Sequence, residues 1–402
     1  MAFALTSESP SVNFCIEETK MALSWRNFAS RIGMDPEPHP RPPAHVLRLQ
    51  PYRCVSSLKQ IEDRTDTEPY KLDWNESTVA PSPRVEEALT HVLSNGAKLN
   101  WYPDLAAEDL TAALESYTGV PRDSLIVTNG SDDALLLLCR TYLRSGNEVL
   151  VPVPTYTHFL VHVGAQNARV VELRNPNPFA TDLNRLERAI TGKTKMVYLV
   201  SPNNPTGTMW TSRQIDYLCS SYPNVMFVVD EAYHEFSGQS VIHLTQTYSN
   251  LAVTRTFSKA FGLAAFRVGY VAAHPRACGH LWRLHNPKSV NTFGQLAATA
   301  AVHDLPYLES YVEEVRAART EFVSRVRELG LEIFDSVANF VVLRVPQPHR
   351  LTDGLEKHNI YIRDRSTMPG MAGCVRITVG TREQMDHVFG CIKQVVTEQG
   401  WV

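Results

Sequence analysis

Long apolar runs are missing from this chain. No stretch of its 402 residues approaches the roughly 20 consecutive apolar residues that a helix needs to span a bilayer, so no membrane partner is expected. A net charge of -3 gives no broad basic surface of the kind that nucleic acid or anionic lipid requires. The first residues hold no basic region followed by an apolar core, and Glu8, Glu17 and Glu18 argue against a transit peptide. Cysteine is sparse: seven residues, odd in number, scattered and never spaced as Cys-x-x-Cys, which predicts reduced thiols in a cytoplasm rather than disulfides or zinc. Absent too are a Gly-x-x-x-x-Gly-Lys-Ser/Thr loop and a His-Glu-x-x-His helix, so neither a P-loop nucleotide site nor a zinc-protease site is expected, and no metal. There is no internal repeat. The one biased tract is a proline cluster at Pro36, Pro38, Pro40, Pro42 and Pro43, which reads as a stiff, extended linker.

What is present is a run of unusual composition, TRTFSKAFGLAAFRVGY (254–270), where a strand hands over to a loop. It is apolar except for Thr254, Arg255, Thr256, Ser258, Lys259 and Arg267, so its polar groups are expected to converge on one object. A lysine there can form a Schiff base while an arginine eight positions on holds a phosphate; pyridoxal 5'-phosphate offers both partners. Taken alone, Ser258-Lys259 is a weak signal, and an ordinary exposed lysine after a strand is the commoner reading.

Three further segments supply groups that this cofactor needs. SPNNPTG (201–207) follows the apolar stretch MVYLV, and its prolines and glycine end the strand in a turn that frees the Asn204 amide. VMFVVDEAYHEF (225–236) delivers Asp230 after five apolar residues, a pattern typical of a strand covered on both faces. A carboxylate emerging there needs a partner, which a helix start, a metal or a protonated pyridine nitrogen would supply. Tyr233 can turn back to the same side, where it and Asn204 would meet one ring oxygen; packing alone would also explain the tyrosine. LIVTNGSDDALLLLCRTYL (125–143) places Gly130, Ser131 and Asp132 between a strand and a helix, a natural phosphate seat or a plain capping turn. Tyr156, in VPVPTYTHF (151–159), follows another strand and can stack on an aromatic ring.

Strand-like runs near residues 125, 149, 169, 197, 226, 252 and 268 alternate with helical stretches such as 105–117 and 211–221, which predicts a mostly parallel sheet flanked by helices. A long helix over 306–329 and strand-like pieces at 331–345, 359–363 and 374–379 predict a smaller sheet unit. At 44% hydrophobic residues the chain can fill both.

These segments, in this order, resemble the fold-type-I pyridoxal-phosphate aminotransferases of class I/II, most closely the histidinol-phosphate aminotransferase branch, from about residue 48 to the end. LNWYPD (99–104) and CVRITVGT (374–381) extend the likeness. The resemblance implies an α/β fold with a large, mostly parallel seven-stranded sheet domain and a smaller α/β C-terminal domain. Its divisions would be an N-terminal extension over 1–47, an arm belonging partly to the small domain over 48–100, a cofactor-binding domain over 101–305 and the small domain over 306–402. It implies that Lys259 carries the cofactor and then shuttles the proton, that Asp230 pairs with the pyridine nitrogen, and that Tyr233 and Asn204 hold the ring oxygen. Gly130, Ser131, Asp132, Thr256, Ser258 and Arg267 would take the phosphate, Tyr156 the ring face, and Tyr102 would reach in from the other subunit of a homodimer. Arg376 would bind the substrate carboxylate, Arg363 a substrate phosphate, and Asn339 would lie beside the substrate. For Arg376 and Arg363 the residues alone favour ion pairs instead, a strand-face one for Arg376 and one with Asp364 for Arg363.

Two departures bear on the substrate, a small-molecule amino acid or amine. Where the family reads Asn-Glu-Asn-Pro-Tyr-Gly-Pro, this chain has Asn75-Glu76-Ser77-Thr78-Val79-Ala80-Pro81, so an aliphatic side chain replaces a tyrosine near the substrate. The first 47 residues, including a stretch over 21–32 with an amphipathic helical pattern, lie outside the family pattern. The expectation is amino transfer between an anionic or aromatic amine and a 2-oxo acid. The alternative is another reaction on the same cofactor: decarboxylation, oxidation, or beta- or gamma-substitution.

Overall fold

A computed structural model describes residues 40–50, 61, 68–96 and 98–402. The contacts divide the chain into Met1–Leu47 and Arg48–Val402. Of the first unit, the described part ends in one exposed helical turn, Ala44–Leu47; the proposed helix over 21–32 lies outside the described residues, as do Pro36 and Pro38 of the proline cluster.

The second unit holds thirteen strands among its described residues. They are β1 (Tyr70–Lys71), β2 (Leu125–Thr128), β3 (Glu148–Val153), β4 (Arg169–Arg174), β5 (Thr194–Val200), β6 (Met226–Asp230), β7 (Leu251–Thr256), β8 (Gly269–Ala273), β9 (Glu332–Phe334), β10 (Phe340–Arg344), β11 (Ile360–Tyr361), β12 (Arg363–Asp364) and β13 (Cys374–Thr378). Seven form one sheet in the order β2-β8-β7-β6-β5-β3-β4. β3 to β7 pair in parallel, and β8 runs antiparallel to both its neighbours, β2 and β7. All seven expected runs are therefore strands of the expected sheet.

The central strands are buried along their length, except for half-buried Lys195 in β5, and alternation sends successive side chains to opposite faces. Val197, Leu199, Phe227, Val229, Leu251 and Val253 join the larger core cluster. Met196, Tyr198, Val200, Met226, Val228 and Ala252 join the other, with Phe159 and Leu135 from the covering helices. The edge strand β4 instead mixes half-buried and exposed residues.

The same alternation corrects one expectation. Arg255 does not converge with Thr256, Ser258 and Lys259; it falls on the opposite face of β7, where Nη2 meets Glu231 Oε2 at 2.9 Å and Nη1 donates to Tyr270 Oη at 3.2 Å. Ser240 Oγ and the Val241 N–H complete the shell of Glu231 at 2.8 and 2.6 Å. This is a fully satisfied buried ion pair that tethers the loop after β6.

A second sheet, antiparallel in the order β12-β13-β10-β9, lies in the C-terminal part, with the 24-residue helix Leu305–Glu328 before it. β1 pairs in parallel with β11, and the Thr378 N–H donates to Leu72 O, so the segment around residue 75 joins the C-terminal sheet. Glu231→Ala leaves the Arg255 guanidinium buried without its counter-ion, and a loss of about 3–5 kcal/mol is expected. Urea unfolding at unchanged m value measures it; a loss under about 1 kcal/mol, the range of an exposed pair, would show that this pair does not hold the loop.

Candidate active site

In a parallel sheet covered on both faces, side chains can leave the apolar interior only at the strand ends. Asp230 ends β6, Asn204 follows β5, Tyr156 follows β3, Gly130 follows β2 and Ser258 and Lys259 follow β7. All lie at the carboxyl edge, the usual ligand crevice of such sheets. Because β8 is reversed, it starts where the others end, and so Arg267, two residues before it, is delivered to that same edge.

Lys259 Nζ donates to Trp74 O at 2.8 Å and lies 6.0 Å from the centre of the Tyr233 ring. Burial pushes its pKa down to about 8; the Glu76 carboxylate opposes this, and the Arg376 and Lys71 charges add to it. A lysine held there has a usable fraction of neutral, nucleophilic amine near neutral pH.

Asp230 is 3% exposed. Its Oδ1 accepts the Ala232 N–H at 3.2 Å and its Oδ2 accepts the Tyr198 hydroxyl at 2.8 Å. Burial lifts its carboxyl to about 6 although the Tyr198 hydrogen bond pulls the other way. Tyr233 and Asn204 do meet: Asn204 Nδ2 donates to Tyr233 Oη at 3.2 Å, and Asn75 Nδ2 donates to the same oxygen at 3.1 Å. Asn75 is fully buried in a left-handed conformation (φ 56°), and no feature of the sequence singled it out as the third member.

The helix Ser131–Tyr142 starts after Gly130 (φ 81°), presenting the first N–H groups that its own ladder cannot use. Thr256 Oγ1 donates to Ser258 Oγ at 3.0 Å, and Arg267 Nη1 lies 3.4 Å from Ser258 Oγ. A Cβ on Gly130 would stand 2.7 Å from Arg267 Nη2, and one on Gly269 would stand 2.5 Å from the Ser131 nitrogen. Gly269, unremarked in the sequence, is thus what lets the start of β8 reach the turn. Asp132 Oδ2 lies 4.0 Å from Arg267 Nη2, while its Oδ1 accepts the Tyr156 hydroxyl at 2.8 Å and lies 3.5 Å from His158 Nδ1. Burial raises its carboxyl, but His158 and Tyr156 outweigh that and hold it below the usual range. His162 completes this group, with ligand atoms of all three residues within 4.8 Å of one another; burial lowers His162 to about 4, so it is neutral.

From the second sheet, Arg376 is 2% exposed and donates to Asn204 Oδ1 at 2.6 Å and to Asp73 O. Arg363 sits opposite it across the β12–β13 pair. Asn339 is fully buried and donates to Asn75 O at 3.1 Å, while its Oδ1 has no hydrogen-bond partner among the described residues. Tyr102 stands apart, 77% exposed, with Lys288 Nζ 5.0 Å from its ring centre.

Residues 67–392 match the family described as aminotransferase class I and II. The chain belongs to that family. It is 39% identical over 362 residues to the dihydroxyacetone phosphate transaminase of Campylobacter jejuni, covering 89% of this chain and 97% of that protein. It is 33% identical over 361 residues to the histidinol-phosphate aminotransferase of Roseiflexus castenholzii, covering 87% and 96%. Among solved structures, the histidinol-phosphate aminotransferase of Sinorhizobium meliloti in complex with pyridoxal 5'-phosphate matches with a TM-score of 0.80 at 25% identity, over 90% of this chain and 99% of that one. This aminotransferase therefore has the fold-type-I architecture and uses pyridoxal 5'-phosphate.

The residues present fit that group. A buried carboxylate, a desolvated amine and a Cβ-free cradle beneath an arginine match its ring nitrogen, its aldehyde and its phosphate. Below about pH 6 the Asp230 carboxyl of the cofactor-free protein is neutral, and above it ionised, so cofactor affinity is expected to strengthen between about pH 5 and 7. Fluorescence titration of the cofactor-free protein measures it, and a flat profile would remove Asp230 as the nitrogen's partner. Borohydride reduction of the holoenzyme should fix the cofactor's mass on Lys259, and Lys259→Ala should show no such adduct by mass spectrometry.

Proposed function

We propose that this aminotransferase transfers the amino group of an amino acid to a small ketone bearing a phosphate ester. The observation that carries the reading is Arg363: its Nη1 is buried and has no hydrogen-bond partner among the described residues, and its strand neighbour is Arg376. A buried guanidinium N–H without an acceptor costs about 1–3 kcal/mol, which a phosphate oxygen restores. Both relatives named above carry a phosphate ester in the substrate their names give, one with an imidazole ring and one without. Val79, packed against the apolar core where the family places tyrosine, favours the compound without the ring.

In this reading Lys259 holds the cofactor and, once displaced by substrate, moves the proton at the reacting carbon. Bound pyridoxal phosphate supplies the electron sink. Asp230 keeps its ring nitrogen protonated, Tyr233 and Asn204 hold its ring oxygen, and Tyr156 covers its face. The N–H groups after Gly130, at Ser131 and Asp132, together with Thr256, Ser258 and Arg267, hold its phosphate. Arg376 binds the donor's carboxylate in bidentate fashion, Arg363 the acceptor's phosphate, and Asn339 lies beside the substrate.

We also infer a homodimer. Leu99, Trp101, Tyr102 and Leu105 are all exposed on one short segment, and a second copy would cover them and bring Tyr102 to the partner's site. The five described cysteines are free and buried, which supports a reducing compartment such as the cytoplasm.

Arg363→Ala tests the substrate. Losing one charged hydrogen-bonding group is worth about 1.5–3 kcal/mol, so kcat/KM for a phosphorylated ketone should fall roughly 10- to 100-fold, while the half-reaction with an unphosphorylated amino acid donor stays within about threefold. Equal losses on both substrates would sink the assignment.

A further inference from the structure

Tyr198 occupies the middle of β5, is fully buried and has a single polar atom. The register sets Val200 opposite Asp230 and Tyr198 opposite Val228, so Tyr198 and Asp230 are diagonal neighbours on one face of the sheet. Its Oη reaches Asp230 Oδ2 at 2.8 Å. Phe159 stacks flat on its ring, with centroids 3.8 Å apart and planes 18° from parallel, which leaves the phenol little freedom to turn. Phe159 belongs to the helix His158–Ala165, which begins two residues after Tyr156. A phenylalanine would pack equally well in this apolar cluster, so the hydroxyl is a desolvation cost unless its bond to Asp230 is used.

The surroundings of Asp230 make that bond the main compensation for burial. From its own loop comes the Ala232 N–H at 3.2 Å. Thr254 faces it from β7 as its register partner. From the helix Ser131–Tyr142 the Asp132 charge acts against ionisation. No arginine, lysine or histidine is paired with Asp230 among the described residues.

We propose that Tyr198 is a positioning residue for Asp230: held by Phe159, it fixes one carboxylate oxygen and favours the anion, so that the acid meets the cofactor's ring nitrogen charged and correctly oriented. The inference rests on the reading of Asp230 as that nitrogen's partner. Nothing in the family resemblance pointed to Tyr198.

The test compares holoenzyme, Tyr198→Phe and Asp230→Asn by two readouts: the dissociation constant of pyridoxal 5'-phosphate at pH 6 and pH 8, and a pH titration of the bound cofactor's visible spectrum. Removing a donor from a carboxylate raises its pKa, so in Tyr198→Phe the acid limb should move up by about one pH unit, and the cofactor should bind about tenfold more weakly at pH 6 with a smaller change at pH 8. A purely structural role would weaken binding equally at both values and leave the titration in place, which overturns the proposal. If Asp230→Asn changes neither readout, the reading of Asp230 itself fails; if it changes both while Tyr198→Phe changes neither, only the role of Tyr198 fails. Should Tyr198→Phe not fold, Phe159→Leu keeps the hydroxyl but frees the ring, and must shift the acid limb in the same direction for the proposal to stand.

Discussion

Burial of the central sheet on both faces is the constraint on which the rest depends. A strand such as β6, closed in along its whole length, can offer a polar side chain only where it ends. Six strands ending at one edge and a reversed one beginning there therefore gather groups that lie far apart in the chain: Gly130, Asn204, Asp230, Lys259 and Arg267. The reversal of β8 matters most for charge, since it sets Arg267 beside Gly130, in a space that exists only because residues 130 and 269 have no side chain.

The same burial tunes two ionisable groups in opposite directions. Desolvation disfavours whichever form is charged, so it raises Asp230 to about 6 and lowers Lys259 to about 8. Each shift is moderated by neighbours, Tyr198 for the acid and Glu76 for the amine. An amine that can lose its proton and an acid that needs a cation are complementary to a cofactor presenting an aldehyde and a basic ring nitrogen. The buried pair of Glu231, the residue after Asp230, and Arg255 is fully satisfied and so serves the loop rather than the chemistry.

The substrate side is assembled differently. Asn75 bonds to Tyr233, to Thr378 and to Asn339, and so links the large sheet to the C-terminal one through a single residue in a left-handed conformation. Arg376 also spans the two, since it donates to Asn204 at the end of β5. The two sheets thereby share hydrogen bonds, and a shift of the smaller one would be felt at Asn204 and Tyr233.

Much of this was legible in the chain. Apolar or strand-like runs marked the strands of the large sheet, most clearly β3, β5 and β6, and Lys259, Asp230, Asn204 and Arg267 stood out as polar residues placed where strands end or, for β8, begin. What escaped were residues whose role depends on a neighbour across the sheet or across the chain. Tyr198 reads as one more apolar strand residue until register makes it the diagonal neighbour of Asp230, and Gly269 as an ordinary strand start until the turn at Gly130 packs against it. Arg255 looked like part of the site until the pleat sent it to the other face. Local pattern alone determined the strands, the edge where function gathers and the family; which side chains touch there was decided by register and packing, because contacts between distant segments are set by three-dimensional closeness, which no local run of residues encodes.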